Sequence, residues 1–184
     1  MLFINGCVRS DSRTMRLADS VIEILGEPVT ELKLWELKFP IVDEGFLKKR
    51  DSLIYAGKYD DPMFDLAKQF SEADRILIAA PYWDFSFPAA LKQYIELINV
   101  LGVTFIYTDE GIPKGLCRAD KLTYVTTAGG NFAPDEYGFG YIKALAENYY
   151  GINEVELIKA VGLDLAGADA DKIIEDKIKE ISNV

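Results

Sequence analysis

Two arginines and three hydroxyl side chains crowd one short segment near the amino terminus, Gly6-Cys7-Val8-Arg9-Ser10-Asp11-Ser12-Arg13-Thr14. The segment follows an apolar run and precedes a helical period, so it reads as the opening of a helix. The first turn of a helix carries free N–H groups and a partial positive charge, and an anion is favoured there. Ser10, Ser12 and Thr14 add donors, and Arg9 and Arg13 add charge-assisted forks. A helix cap alone needs one such residue. Five of the six residues from Arg9 to Thr14 exceed that need and point to phosphate. GxGxxG and GxxxxGK[ST] are both missing, which favours a mononucleotide phosphate over a dinucleotide or a P-loop triphosphate.

A second segment, Pro81-Tyr82-Trp83-Asp84-Phe85-Ser86-Phe87-Pro88, has three aromatics among its first five residues. Phe87 reads as core. Tyr82, Trp83 and Asp84 put polar tips beside a proline turn and suit a planar ring with a polar edge. A third segment, Thr126-Thr127-Ala128-Gly129-Gly130-Asn131-Phe132, has paired glycines, which let a backbone come close to a ligand. Gly-Gly is also common in plain turns. Its weight comes from standing at a strand exit like the other two.

Composition removes much other chemistry. The chain has no histidine, which excludes Ser-His-Asp hydrolysis, Cys-His catalysis and histidine metal sites. Cys7 and Cys117 form no CxxC and no disulfide framework. What is left is chemistry that a cofactor must carry. A net charge of −10 without a basic stripe repels nucleic acid and anionic lipid at long range, so no nucleic-acid partner and no membrane insertion are expected. Lys48-Lys49-Arg50 reads as a solvated face. No apolar stretch is long enough to span a bilayer. The chain opens on a strand rather than a signal peptide, so a cytoplasmic location is expected.

The elements that must position these loops alternate. Strands are expected at Leu2–Ile4, Val29–Leu34, Ile76–Ala80, Leu122–Thr127 and Val155–Val161. Helical periods run through Leu17, Val21 and Leu25, ending at Gly26; through Phe64, Ala67 and Phe70; through Leu91, Ile95 and Ile98; around Tyr141–Tyr149; and through Ile174, Ile178 and Ile181. Pro88 suits the first turn of the third of these. Trp35–Asp60 has no clean period and reads as a long excursion. Five strands alternating with helices imply an α/β fold with a parallel sheet covered on both faces. Ligands then bind beyond the carboxyl ends of the strands, so the loops after strands one, three and four hold the site.

Together the three loops resemble those of the FMN-dependent NADH azoreductases and NAD(P)H quinone reductases. The matching pieces are Ile4–Arg9 with Ser12–Thr14, Ala80–Lys92, and Thr127–Gly130, in an order spanning nearly the whole chain. The Pro-x-Tyr/Trp-Asn-Phe-x-x-Pro segment with its Leu-Lys helix start is the most specific. Phe105–Thr108 with Gly111–Leu116 also looks like the family's connection before strand four. The resemblance implies a flavodoxin-like three-layer sandwich with a five-stranded parallel sheet, as a single domain over residues 1–184.

It further implies a homodimer that binds FMN and takes electrons from NADH or NADPH. The small-molecule acceptor would be a quinone, an azo compound or similar, reduced by two-electron ping-pong transfer. Ser12, Arg13 and Thr14 would bind phosphate, with Arg9 and Ser10 beside them. Pro81, Tyr82, Trp83, Asp84 and Phe85 would line the ring and ribityl chain. Thr127, Ala128, Gly129 and Gly130 would meet the ring's polar edge. Phe105, Tyr107, Phe132 and Tyr137 are aromatic candidates for a substrate wall, and Tyr137 is also a candidate proton donor.

Three positions depart from the family pattern. Cys7 replaces a common serine, and Asp84 a common asparagine. Ala128 stands where a polar or charged residue is frequent. Two other readings share the fold: an electron carrier, favoured by the acidity, and a non-enzymatic regulatory subunit, for which Trp35–Asp60 offers a contact surface.

Overall fold

The computed structural model describes residues 1–183. In chain order the elements begin with β1 (Leu2–Asn5), α1 (Arg13–Leu25), β2 (Thr30–Lys33), α2 (Glu44–Tyr55), α3 (Asp65–Glu72) and β3 (Arg75–Ala79). They continue with α4 (Ala89–Ile98), β4 (Phe105–Tyr107), β5 (Pro113–Gly115), β6 (Lys121–Thr127), α5 (Phe139–Leu145), β7 (Glu154–Ala160) and α6 (Ala170–Ser182). Five strands form one parallel sheet in the order β2-β1-β3-β6-β7. This is a flavodoxin-like fold.

The central strands are apolar on both faces because helices cover both. Alternate residues point to opposite sides. Phe3, Leu77, Val125 and Ile158 share one core with Leu17, Ala18 and Val21 of α1 and Ile174 of α6. Ile4, Ile78, Leu122 and Tyr124 share the other with Phe70 of α3, Leu91 and Ile95 of α4 and Ile142 of α5. The three layers follow from that split.

Helix ends obey their local chemistry. The Ser12 hydroxyl accepts the Met15 N–H at 3.2 Å, and Gly26 closes α1 in the left-handed region at φ 61°. α5 runs on through a wider turn over Ala146–Tyr150, which matches the helix expected around Tyr141–Tyr149.

The expected strands are found within one or two residues of their bounds. The excursion after β2 is more ordered than its sequence indicates. It contains a short 3-10 turn at Leu34–Glu36 and then α2, started by Asp43 accepting from Phe46 N–H. α2 buries none of its residues. Its Lys48, Lys49 and Arg50 pair with Glu44, Asp61 and Asp51, as a solvated face should. A helix without an apolar stripe has no period to read. The connection before β6 is an antiparallel ribbon, β4 against β5. Among the described residues no helix is long and apolar enough to cross a membrane.

Candidate functional site

The chain leaves β1 toward β2 on one side and reaches β3 on the other, so the strand order reverses between β1 and β3. The loops beyond these strands diverge there and leave a crevice. A cavity of about 270 Å³ lies in it, lined by residues of all three loops singled out in the sequence.

The first loop supplies Cys7, Val8, Arg9, Asp11, Ser12, Arg13 and Thr14 to the lining. Its path is fixed from below. Gly6 N–H donates to the Ala79 carbonyl at 2.8 Å, and Cys7 N–H to Asn5 Oδ1 at 2.8 Å. Burial pushes the Cys7 thiol up to about 11, so it stays protonated and neutral near pH 7. Its Sγ is 3.8 Å from the Ala79 carbonyl, a weak donor contact. The departure from serine therefore places a neutral thiol in the cavity lining.

Thr14 is buried, and its hydroxyl lies 2.7 Å from that of Thr127. This bond ties the first loop to the third. Either hydroxyl can be its donor; with Thr127 donating, Thr14 keeps its own O–H as well as its backbone N–H for an anion. Ser12 caps α1. Arg13 and Arg9 bring the positive charge.

The second loop contributes Pro81, Tyr82 and Trp83 to the lining. Trp83 and Ser86 exchange both backbone hydrogen bonds, at 3.0 and 2.7 Å, around a two-residue tip. Both tip residues have positive φ, Asp84 at 50° and Phe85 at 67°. A type I′ turn demands this and normally uses Asn-Gly. Asp84 tolerates the region; a phenylalanine there is strained. The turn aims Phe85 at Phe132 and Tyr137, edge to face, with ring centroids 5.9 and 6.4 Å apart. The Tyr82 hydroxyl donates to the Pro134 carbonyl at 3.2 Å, and the Ser86 hydroxyl to that of Tyr137 at 2.8 Å. Burial, helped by the Asp135 and Glu136 carboxylates, raises the Tyr82 phenol above its usual range and keeps it a neutral donor.

From the third loop Thr127 and Gly129 reach the cavity. Ala128 is buried behind it, and Gly130 is exposed beyond it. Ser10, Asp84 and Phe85 are exposed and do not line the cavity. Phe132 and Tyr137 form an open aromatic edge with Phe85, whereas Phe105 and Tyr107 pack with Tyr149 around the β4–β5 ribbon.

A fourth loop, beyond β7, was missed. Leu163 and Asp164 line the cavity, and Asp164 pairs with Arg13 at 2.8 Å. The strand-exit rule that selected the other loops applies equally to β7. Its residue types, Gly-Leu-Asp-Leu-Ala, form no unusual group. A separate, more apolar groove of about 760 Å³ runs between Phe39, Phe46, Met63 and Leu66 and contains none of the expected site residues.

The donor set fits an FMN phosphate: two arginines, a serine and the start of a 13-residue helix. The Pro81–Trp83 wall fits a planar ring. Among the described residues no cluster suited to a metal occurs.

A family model described as Flavodoxin-like fold matches residues 1–184. An FMN-dependent NADH:quinone oxidoreductase of Clostridium beijerinckii is 34% identical over 179 residues, covering 92% of this chain and 89% of that protein. One of the same name from Lachnoclostridium phytofermentans is 34% identical, covering 98% and 92%. Among solved structures, an FMN-dependent NADH-azoreductase of Bacillus anthracis in complex with FMN superposes with a TM-score of 0.82 at 22% identity, over 99% of this chain and 95% of that one.

Proposed function

We propose that this chain, which belongs to the flavodoxin-like fold family, is an FMN-dependent NADH oxidoreductase that reduces quinones, azo compounds or similar acceptors. One observation carries the reading. A cationic, hydroxyl-bearing helix start and an aromatic strand exit converge on one cavity at the sheet's switch point. The names of the relatives agree with it, and they favour NADH over NADPH as donor.

Bound FMN would supply the redox chemistry, accepting two electrons as hydride from the nicotinamide and delivering two to the acceptor. The chain's own work is to bind, orient and shield. Arg9, Ser12, Arg13 and Thr14 hold the phosphate, with Ser10 beside them outside the lining. Pro81, Tyr82 and Trp83 wall the ring, with Asp84 and Phe85 at its rim. Thr127, Ala128, Gly129 and Gly130 bring backbone to its polar edge. Phe85, Phe132 and Tyr137 present rings on which a flat donor or acceptor can lie, and they exclude water from it. Tyr137, at that edge, is the candidate proton donor.

The exposure of Phe132 (80%) and Tyr137 (63%) beside the site supports a homodimer that covers them. We further propose a single domain working in the cytoplasm. The test is steady-state oxidation of NADH with benzoquinone or an azo dye. The proposal expects turnover that requires FMN, with parallel double-reciprocal lines. Flavin binding without acceptor turnover would instead favour an electron carrier. Absence of both would favour a regulatory subunit.

A further inference from the structure

The cavity read as the phosphate site contains an acid placed on one of its two arginines. We infer that Asp164 sets the phosphate affinity of the site: its carboxylate occupies Arg13 and weakens the hold on phosphate. The inference rests on the FMN reading above.

The placement is built into the backbone. The chain leaves β7 through Gly162, at φ 78°, where a Cβ would lie 2.5 Å from Asn131 Oδ1. The loop is then zipped to the third loop. Gly162 N–H donates to Gly130 carbonyl at 3.1 Å, Leu163 to Ala128 at 3.3 Å, and Asp164 to Gly129 at 2.9 Å. Gly129 has no side chain, and any Cβ there would collide with Asp164 Oδ2. The glycine thus leaves the space that the carboxylate fills. From this seat Asp164 Oδ1 reaches Arg13 Nη1 at 2.8 Å. Arg16, three residues on, is turned away to Asp171 and Glu175. Among the described residues Arg9 is in no ion pair, which leaves it as the cavity's uncommitted cation.

Two opposing effects follow. Holding Arg13 in place reduces the ordering that phosphate must impose. That gain is small, because the pair is largely exposed, at 42% and 65%. Against it, a carboxylate in the same cavity repels a phosphate carrying nearly two negative charges and competes for the same guanidinium. The repulsion acts between charges, the gain only on one side chain's freedom, so repulsion wins.

The experiment compares FMN and riboflavin, which differ by the phosphate, on flavin-stripped full-length protein by quenching of flavin fluorescence. Asp164→Asn keeps the shape and an oxygen for Arg13 but removes the charge. It should tighten FMN by about tenfold and leave riboflavin within about twofold. The gain should shrink as salt is raised and be smaller, though not abolished, in an Arg13→Gln background, where the carboxylate still repels phosphate but no longer competes for a guanidinium. A parallel shift of both ligands, or weaker FMN binding, overturns the inference and makes Asp164 a structural residue. A wild-type protein with no preference for FMN over riboflavin overturns the phosphate assignment itself, and the inference with it.

Discussion

Thr14 and Thr127 meet hydroxyl to hydroxyl at 2.7 Å in a buried setting, and this single bond joins the helix that starts the site to the strand that ends beside it. Removing one partner strands the other. Thr14→Val should lower stability by about 1–3 kcal/mol, whereas Thr14→Val with Thr127→Val should recover to within about 1 kcal/mol of wild type. Urea unfolding of the two single variants and the double variant gives the coupling directly. Additive losses would show that the bond is not what fixes the loops. At this scale the sequence exposes residues whose types are unusual in a group: Arg9, Ser12, Arg13, Tyr82 and Trp83 were visible as clusters, and all line the cavity. Thr14 was visible too, yet its hydroxyl is engaged with a residue 113 positions away. Asp164 stood out in no way, because an aspartate in a Leu-Asp-Leu-Ala loop acquires meaning only from Arg13, 151 positions distant.

The element that most departs from local preference is the turn at Asp84-Phe85, a two-residue tip with both residues left-handed and no glycine. A phenylalanine there costs about 1–2 kcal/mol. Its edge contacts with Phe132 and Tyr137 return about 0.5–1.5 kcal/mol each. Phe85→Gly should therefore leave the folding free energy within about 1 kcal/mol of wild type while weakening FMN binding several-fold, since the ring is kept for the site rather than for the fold. Thermal unfolding and a flavin titration on the same variant separate the two. A loss of stability beyond about 3 kcal/mol, the scale of a phenylalanine removed from a core, would make Phe85 a core residue. The strands and buried helices were legible because each carries a signal: short runs buried on both faces along β1, β3 and β6, three- and four-residue spacing along α1 and α4. α2 was not, since it has no fully buried residue and meets the core only through the partly buried Leu53 and Ile54, and its start depends on one cap at Asp43. The β4–β5 ribbon was equally hidden. Three-residue strands are too short for alternation to register, and Gly115 is needed because the Tyr150–Gly151 backbone lies where its Cβ would be.

The molecule as a whole is a parallel sheet whose order reverses between β1 and β3, and that reversal turns separate segments into one cavity. The alternation of strands and helices made the sheet legible. The absence of histidine in a chain of net charge −10 narrowed the chemistry to a bound cofactor. The closing of the cavity by the loop after β7 was not legible, because it depends on register between β6 and β7 rather than on residue type. The central claim is that this cavity holds FMN and passes it electrons from NADH. The most direct test is the visible spectrum of the purified protein with FMN, recorded without oxygen before and after NADH. The account predicts a protein-bound flavin spectrum that bleaches on adding NADH. Flavin that binds and does not bleach, or that does not bind at all, would contradict it.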